Sequence, residues 1–176
     1  MSLLIKHFEK VDSTNYTALE ILNSSEICED FAVLADMQLQ GRGRLNGRVW
    51  ESPIGNFYCT YVVNLRNIGI GVESTNSLMF AIMPAIQKFL KNMTKSNCIK
   101  IKIPNDILVG DKKLSGVLIE ISYPYAIIGI GINLISSPIE RAANIQTEFN
   151  LLVKPMDLVE NLYESLMDGI NECYFH

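Results

Sequence analysis

Residues 99–133, IKIKIPNDILVGDKKLSGVLIEISYPYAIIGIGIN, decide the fold of this 176-residue chain. Ile99 to Ile103 alternates apolar and charged residues, as a strand with one wet face does, and Pro104-Asn105-Asp106 breaks the pattern. Ile107 to Val109 resumes extended structure, Gly110-Asp111 makes a tight turn, and Lys112 to Ser122 returns as a longer strand. After Tyr123-Pro124 a further strand runs from Ala126 to Asn133. Such a series is an antiparallel meander.

Upstream, Leu3 to Val11 reads as a strand, and Asp12-Ser13-Thr14-Asn15 as a turn that caps a helix carrying Tyr16, Leu19, Ile21 and Leu22. Phe31 to Met37 is a short apolar strand leading into a glycine-arginine loop, which places that loop at a sheet edge. Phe57 to Leu65 is rich in aromatic and β-branched residues and reads as a strand. Leu78 to Met93 has helical spacing, with Pro84 marking a kink or a restart and Met79, Met83 and Met93 serving as packing. Downstream, Pro155 through Tyr163 and Leu166 to Ile170 has the spacing of a helix with proline in its first turn. The expected fold is α+β, a mixed and mostly antiparallel sheet with helices packed on it.

The loop, Gln38 to Trp50, holds three glycines and three arginines in thirteen residues of a chain whose net charge is -4. Glycine lets backbone N–H groups approach an oxyanion, and guanidinium supplies fork-shaped donors for phosphate or carboxylate. An anion site and a solvated arginine loop both fit the stretch alone. The acidic balance argues against a broad nucleic-acid surface, so any anion site is local. Cys28, Cys59, Cys98 and Cys173 are widely spaced, without a zinc or redox motif, which suits reduced thiols in a cytoplasmic protein. No apolar run reaches membrane-spanning length, and the start of the chain lacks a signal-peptide pattern.

Several residues are suited to chemistry at strand ends. Lys102, Asn105, Asp106, Lys113, Gly116 and Glu120 give the meander an unusual polar set. Asp106 fits either an Asx turn after Pro104 or a carboxylate that holds Mg²⁺ through water. Lys113 stands where an ammonium can reach toward the arginine loop and stabilise charge on a phosphoryl oxygen, or it is a solvated lysine beside a turn. Strand alternation puts Gly116 on the face opposite Lys113, so both meet one ligand only if the strand bulges or twists. Gly129 and Gly131 share one face, leaving room for a ligand or for a close-packed helix, and Asn133 ends that strand with an amide. With only His7 and His176, no histidine-centred triad arises, and no P-loop motif is present.

Four segments in order, Ser13-Thr14-Asn15, Gly41-Arg42-Gly43-Arg44 ending in Trp50, Lys102 to Asp106 with Lys112 to Gly116, and Gly129 to Asn133, resemble those of the biotin protein ligases. The resemblance covers most of residues 3 to 134. It implies a two-step reaction: biotin's carboxylate attacks the α-phosphate of ATP with Mg²⁺, giving biotinyl-5'-AMP and pyrophosphate, and a lysine of a biotin carboxyl carrier protein then takes the biotinyl group. By position, Ser13, Thr14, Asn15 and Gln38 would meet biotin's polar ring. Gly41, Arg42, Gly43 and Arg44 would close over its carboxylate and the phosphate, with Lys113 and Arg44 catalytic. Gly116, Gly129 and Gly131 would give biotin space, while Arg48, Asn105, Asp106 and Asn133 would face ATP and Asp106 its metal.

Isoleucine stands at Ile103 where the family usually has tryptophan, and the stretch between Arg44 and Gly47 is one residue longer than the common pattern, which loosens the placement of Arg48. The resemblance implies one catalytic domain over residues 1–176, without the family's C-terminal β-domain or a DNA-binding helix-turn-helix. The expected partners are then biotin, ATP and the carrier protein, with no DNA and no membrane, and a homodimer stays open. Alternatives are a lipoate or octanoate transferase of the same fold, and a protein that binds biotin without transferring it.

Overall fold

The computed structural model describes residues 3–24, 29–44, 49–137, 139 and 141–175. The chain runs β1 (Leu4–Val11), α1 (Thr14–Ser24), β2 (Phe31–Gln38), β3 (Phe57–Asn64), a 3₁₀ turn (Val72–Ser77), α2 (Leu78–Thr94), β4 (Ile99–Lys102), β5 (Asp106–Val109), β6 (Lys112–Ser122), β7 (Tyr125–Ile132), α3 (Ile145–Phe149) and α4 (Pro155–Phe175). Seven strands form one sheet in the order β1-β2-β3-β7-β6-β5-β4. Among the described strand pairs, only β1–β2 is parallel. The α+β fold read from the sequence is therefore the fold observed, meander included.

The centre of the sheet is covered on both sides, and β3 shows how. All eight of its residues are buried, because alternate side chains enter two different cores. Phe57, Cys59, Tyr61 and Val63 join the larger core, made with α2 and α4, whereas Val62 faces α1 with Phe31, Val33, Ile127 and Ala18. On the neighbouring β7 the same alternation sends Ala126, Ile128, Ile130 and Ile132 into the larger core. Ile127, Gly129 and Gly131 are left on the α1 side, so the paired glycines face away from the bulk of the apolar packing.

Four local expectations change. The glycine-arginine loop does not leave a sheet edge, because β2 lies between β1 and β3. Thr14 and Asn15 belong to the first turn of α1 rather than to a turn before it. Helix α2 passes through Pro84 without restarting, with Pro84 and the highly exposed Phe80 on its outer side, where a carbonyl that loses its N–H partner can meet water. Ile103 falls outside β4 and is 78% exposed, since the proline after it cannot continue the ladder.

Helix α4 is tied to the sheet by aromatic and polar contacts. The buried Tyr61 hydroxyl donates to the Val159 carbonyl at 2.9 Å, its ring stacks on Tyr163 at 6.0 Å, and the Tyr163 hydroxyl donates to Asp30 at 2.6 Å. The helix also crosses α2 closely, because a Cβ on Gly169 would stand 2.7 Å from Ala85 Cβ and 3.0 Å from the Ala81 carbonyl. Gly169→Val should therefore lower stability by about 1–3 kcal/mol, as overpacking does; an unchanged urea midpoint would show that the two helices have room to separate.

Burial holds the Tyr61 hydroxyl well above its ordinary range. The folded state thus keeps a proton that the unfolded chain releases above about pH 10, so stability is whole below that pH and falls as pH rises through it. Melting curves at pH 8 and at about pH 10.5 should show the loss, and Tyr61→Phe should reduce it.

Candidate functional site

The site begins with an irregularity in β6. Ile107 opposes Ser115 whereas Leu108 opposes Lys113, which leaves Leu114 as an extra residue in the strand. The bulge cancels the alternation that would have put Lys113 and Gly116 on opposite faces. A Cβ on Gly116 would lie 3.3 Å from Lys113 Nζ, so the two residues share one surface.

Gly116 is directly opposite Gly131 in the β6–β7 register, and the pair makes a patch of sheet without side chains. The Trp50 indole lies on that patch, 2.8 Å from where Gly116 and 2.6 Å from where Gly131 would carry Cβ. Lys113 Nζ stands 5.0 Å from the indole centroid and 2.6 Å from Asp106 Oδ1. The place where Gly129 would carry a side chain is taken by the Asn15 amide. The glycines thus serve two purposes that the sequence left as alternatives: one admits a helix side chain, and two admit a flat ring.

Above this floor the two legs of the glycine-arginine loop approach each other as a hairpin. Gln38 bridges to Ser52, Arg42 bridges to Val49, and Trp50 N–H donates to the Gly41 carbonyl at 2.8 Å. Gly41 is buried against the Trp50 carbonyl and Ser52 Oγ, so it closes the hairpin and does not line the cleft.

The wall opposite the flap is the first turn of α1. Ser13, Thr14 and Asn15 are buried. Gln38 Oε1 accepts from the Thr14 backbone at 2.9 Å and lies 3.1 Å from its hydroxyl, while Gln38 Nε2 donates to Ser52 at 2.9 Å. The Thr60 hydroxyl donates to Asn15 Oδ1 at 2.6 Å and sits 2.8 Å from the Thr14 hydroxyl. Asn15 Nδ2 and Arg42 Nη2 both donate to Glu120 Oε2, at 2.7 and 2.9 Å. One chain of hydrogen bonds therefore joins the flap, the helix and three strands.

These parts enclose a cleft of about 270 Å³. Among the described residues, Arg42, Arg44, Lys102 and Lys113 line it against a single lining carboxylate, Asp106, so an acidic protein carries a locally cationic hollow. Ser13, Thr14, Asn15, Gln38, Gly43, Asn105, Gly116, Gly129 and Gly131 line it as well, as the sequence suggested. The Trp50 indole N–H is buried without a partner, a donor that a ligand acceptor could satisfy.

One further assignment does not reach this hollow. Asn133 is buried outside it, donating to the Lys113 and Ala143 carbonyls at 3.3 and 3.0 Å, where it fastens the end of β7 to the segment before α3. Asn105 stands at the rim, but its amide donates to the Val117 carbonyl at 3.0 Å, so its first task is to hold the β4–β5 turn on β6. Arg48 lies outside the described residues. Among those described, no cluster of three or more His, Cys, Asp or Glu could hold a metal alone.

Sequence reasoning passed over Thr60, and it gave Trp50 and Glu120 no role of their own in the site. Thr60 carried a usable signal, being a hydroxyl inside an apolar, aromatic strand. Glu120 was noticed only as one of a polar set, because its partners come from segments 78 and 105 residues away.

Comparison with known proteins identifies the family. Residues 7–133 match the profile of the Biotin/lipoate A/B protein ligase family. A biotin–[acetyl-CoA-carboxylase] ligase of Paracoccus denitrificans is 33% identical over 134 residues, which is 73% of this chain and 54% of that protein. The biotin protein ligase of Leishmania major in complex with biotinyl-5-AMP superposes with a TM-score of 0.81 at 30% identity, covering 98% of this chain and 76% of that one. The Aquifex aeolicus biotin protein ligase in complex with biotin and ATP gives 0.80 at 27%, covering 96% and 71%. The chain spans about half the length of the curated relatives it matches. A profile match over most of the chain, on a fold shared nearly end to end, means that the chain belongs to the biotin/lipoate A/B protein ligase family.

Proposed function

We propose that this chain is an ATP-dependent biotin ligase that forms biotinyl-5'-AMP and then passes biotin to a lysine of a carrier protein. The observation that carries the proposal is the meeting of Lys113 and the arginine flap over one side-chain-free patch of sheet. Relatives at 27–30% identity with the same fold are described with biotin and ATP or with biotinyl-5-AMP bound.

The first step joins two anions. A biotin carboxylate oxygen forms a bond to the α-phosphorus of ATP while the bond to pyrophosphate breaks, and negative charge grows on the phosphoryl oxygens. Lys113 and the guanidinium groups of Arg42 and Arg44 offset the repulsion and stabilise that charge from fixed positions. Ser13, Thr14 and Asn15, with Gln38 behind them, supply hydroxyl and amide groups for the polar ring of biotin. Lys102 and Asn105 stand on the rim for the nucleotide. A magnesium ion carried by ATP, which takes one or two protein carboxylates, would find Asp106 there and neutralise phosphate charge. In the second step the carrier amine attacks the biotinyl carbonyl and AMP leaves. Until then the mixed anhydride must be kept from water, which the flap and Trp50 are placed to do.

Incubation with biotin, Mg·ATP and a biotin carrier domain should release pyrophosphate and add a biotinyl mass to the carrier. Transfer of lipoate or octanoate in place of biotin would overturn the assignment of substrate, and pyrophosphate without transfer would reduce the protein to an adenylate-forming binder.

Lys113→Ala should slow biotinyl-5'-AMP formation by about 10²-fold or more, with biotin affinity changed much less, because the ammonium acts where charge develops. Single-turnover rates and calorimetric binding separate the two effects, and unaltered adenylation would remove Lys113 from its role.

A further inference from the structure

Glu120 touches none of the cleft's floor, yet it collects two donors from opposite sides of the site on one oxygen. Asn15 Nδ2 reaches it from α1 at 2.7 Å and Arg42 Nη2 from the flap at 2.9 Å. We propose that Glu120 is the positioning residue of the cleft, holding the first leg of the flap to the sheet and fixing the orientation of the Asn15 amide. Its part in catalysis rests on the ligase reading, while the anchoring itself does not.

The orientation argument follows from what each group can donate. A carboxylate only accepts, so the Asn15 nitrogen must face Glu120, and the amide oxygen is then turned toward the Thr60 hydroxyl, at 2.6 Å. With Gly129 giving up its side-chain space to this amide, a flipped Asn15 would face Glu120 with an oxygen and lose its bond to the carboxylate. Glu120 thereby sets the polarity of the helix wall that a ligand meets.

The anchoring argument runs along the hairpin. Arg42 is paired across the flap with Val49, and Trp50 follows, with its N–H on the Gly41 carbonyl. Holding the Arg42 guanidinium therefore also sets where the indole rests on Gly116 and Gly131. The ion pair is partly exposed, its side chains 45% and 31% accessible, so it is weak enough to be exchanged and is screened by salt.

Trp50 is the single tryptophan of the chain and reports on this directly. In Glu120→Ala the acrylamide quenching constant of Trp50 should rise about two- to fivefold, the range of population change that a partly exposed ion pair can control. Glu120→Gln keeps the shape and an acceptor but not the charge, and should give a smaller rise. Raising salt from about 0.05 to about 0.5 M should increase quenching in the unaltered protein and leave Glu120→Gln nearly unmoved, which a general loss of packing would not reproduce. Glu172→Gln, which removes a more exposed pair with Lys88 on the far helices, should leave quenching unchanged.

For the reaction, KM for biotin should rise about tenfold in Glu120→Gln while kcat of adenylation stays within about threefold, the signature of lost positioning rather than lost chemistry. Equal quenching in the unaltered protein and Glu120→Gln at low salt would overturn the anchor. A collapse of kcat with KM unchanged would place Glu120 among the reacting groups and overturn the positioning role. Should the unaltered protein make no pyrophosphate, the ligase reading falls and the quenching comparison still decides the anchor; if Glu120→Ala does not fold, Glu120→Gln and the salt series carry the test.

Discussion

The site depends on backbone lying bare at the centre of a sheet that is otherwise packed on both faces. Gly116 and Gly131 oppose each other across β6 and β7, and a side chain on either would strike the Trp50 ring. Remove that bareness and the indole lifts, the flap loses its seat, and Lys113 has no flat surface to stand over. The surrounding sheet is rigid because β3 and β7 send their other side chains into the larger core with α2 and α4. A hollow cut into so well-buried a region can keep its dimensions without a ligand to shape it.

The second requirement is that charge be brought to this hollow without unfolding it. Among the described residues four cations line the cleft, and isolated they would repel one another. Two of them are held by carboxylates, Lys113 by Asp106 and Arg42 by Glu120. Asp106 opens β5 directly opposite Gly116, so the same bulge that turns Lys113 onto the cleft face also sets it beside its partner. The positive field is thus built from strands and a hairpin whose registers fix each charge, which is why an acidic chain can present it locally.

Much of this was legible in the sequence, and what was not has identifiable causes. The meander from Ile99 to Asn133 announced itself through alternation, proline breaks and a Gly-Asp turn, signals that are local and therefore survive in a linear text. Lys113 and Gly116 could not be placed on one face by the same logic, because the inserted Leu114 depends on how β6 pairs with β5. Gly41 reads like any other glycine of an anion loop, yet the Trp50 carbonyl approaching it lets it close the hairpin. Asn133 reads like a site residue at a strand end, and only the later segment around Ala143 shows that its amide nitrogen is taken up by backbone carbonyls. Glu120 and Thr60 were hidden because their meaning lies in partners far along the chain.

The two carboxylates also bear on how an anion would enter. A ligand phosphate or carboxylate arriving at Lys113 or Arg42 does not meet a bare cation; it competes with Asp106 for the first and with Glu120 for the second. Exchanging one charge-assisted hydrogen bond for another leaves the cations nearly as well satisfied before binding as after, so little is lost to desolvating an unpaired ammonium or guanidinium. The exchange favours an anion that can engage both positions at once, since one oxygen replacing one carboxylate gains little while two groups held by one ligand gain from being joined. A molecule bearing a carboxylate and a phosphate together, as a carboxylic acid meeting a nucleotide does in the moment of reaction, satisfies that condition better than either part alone.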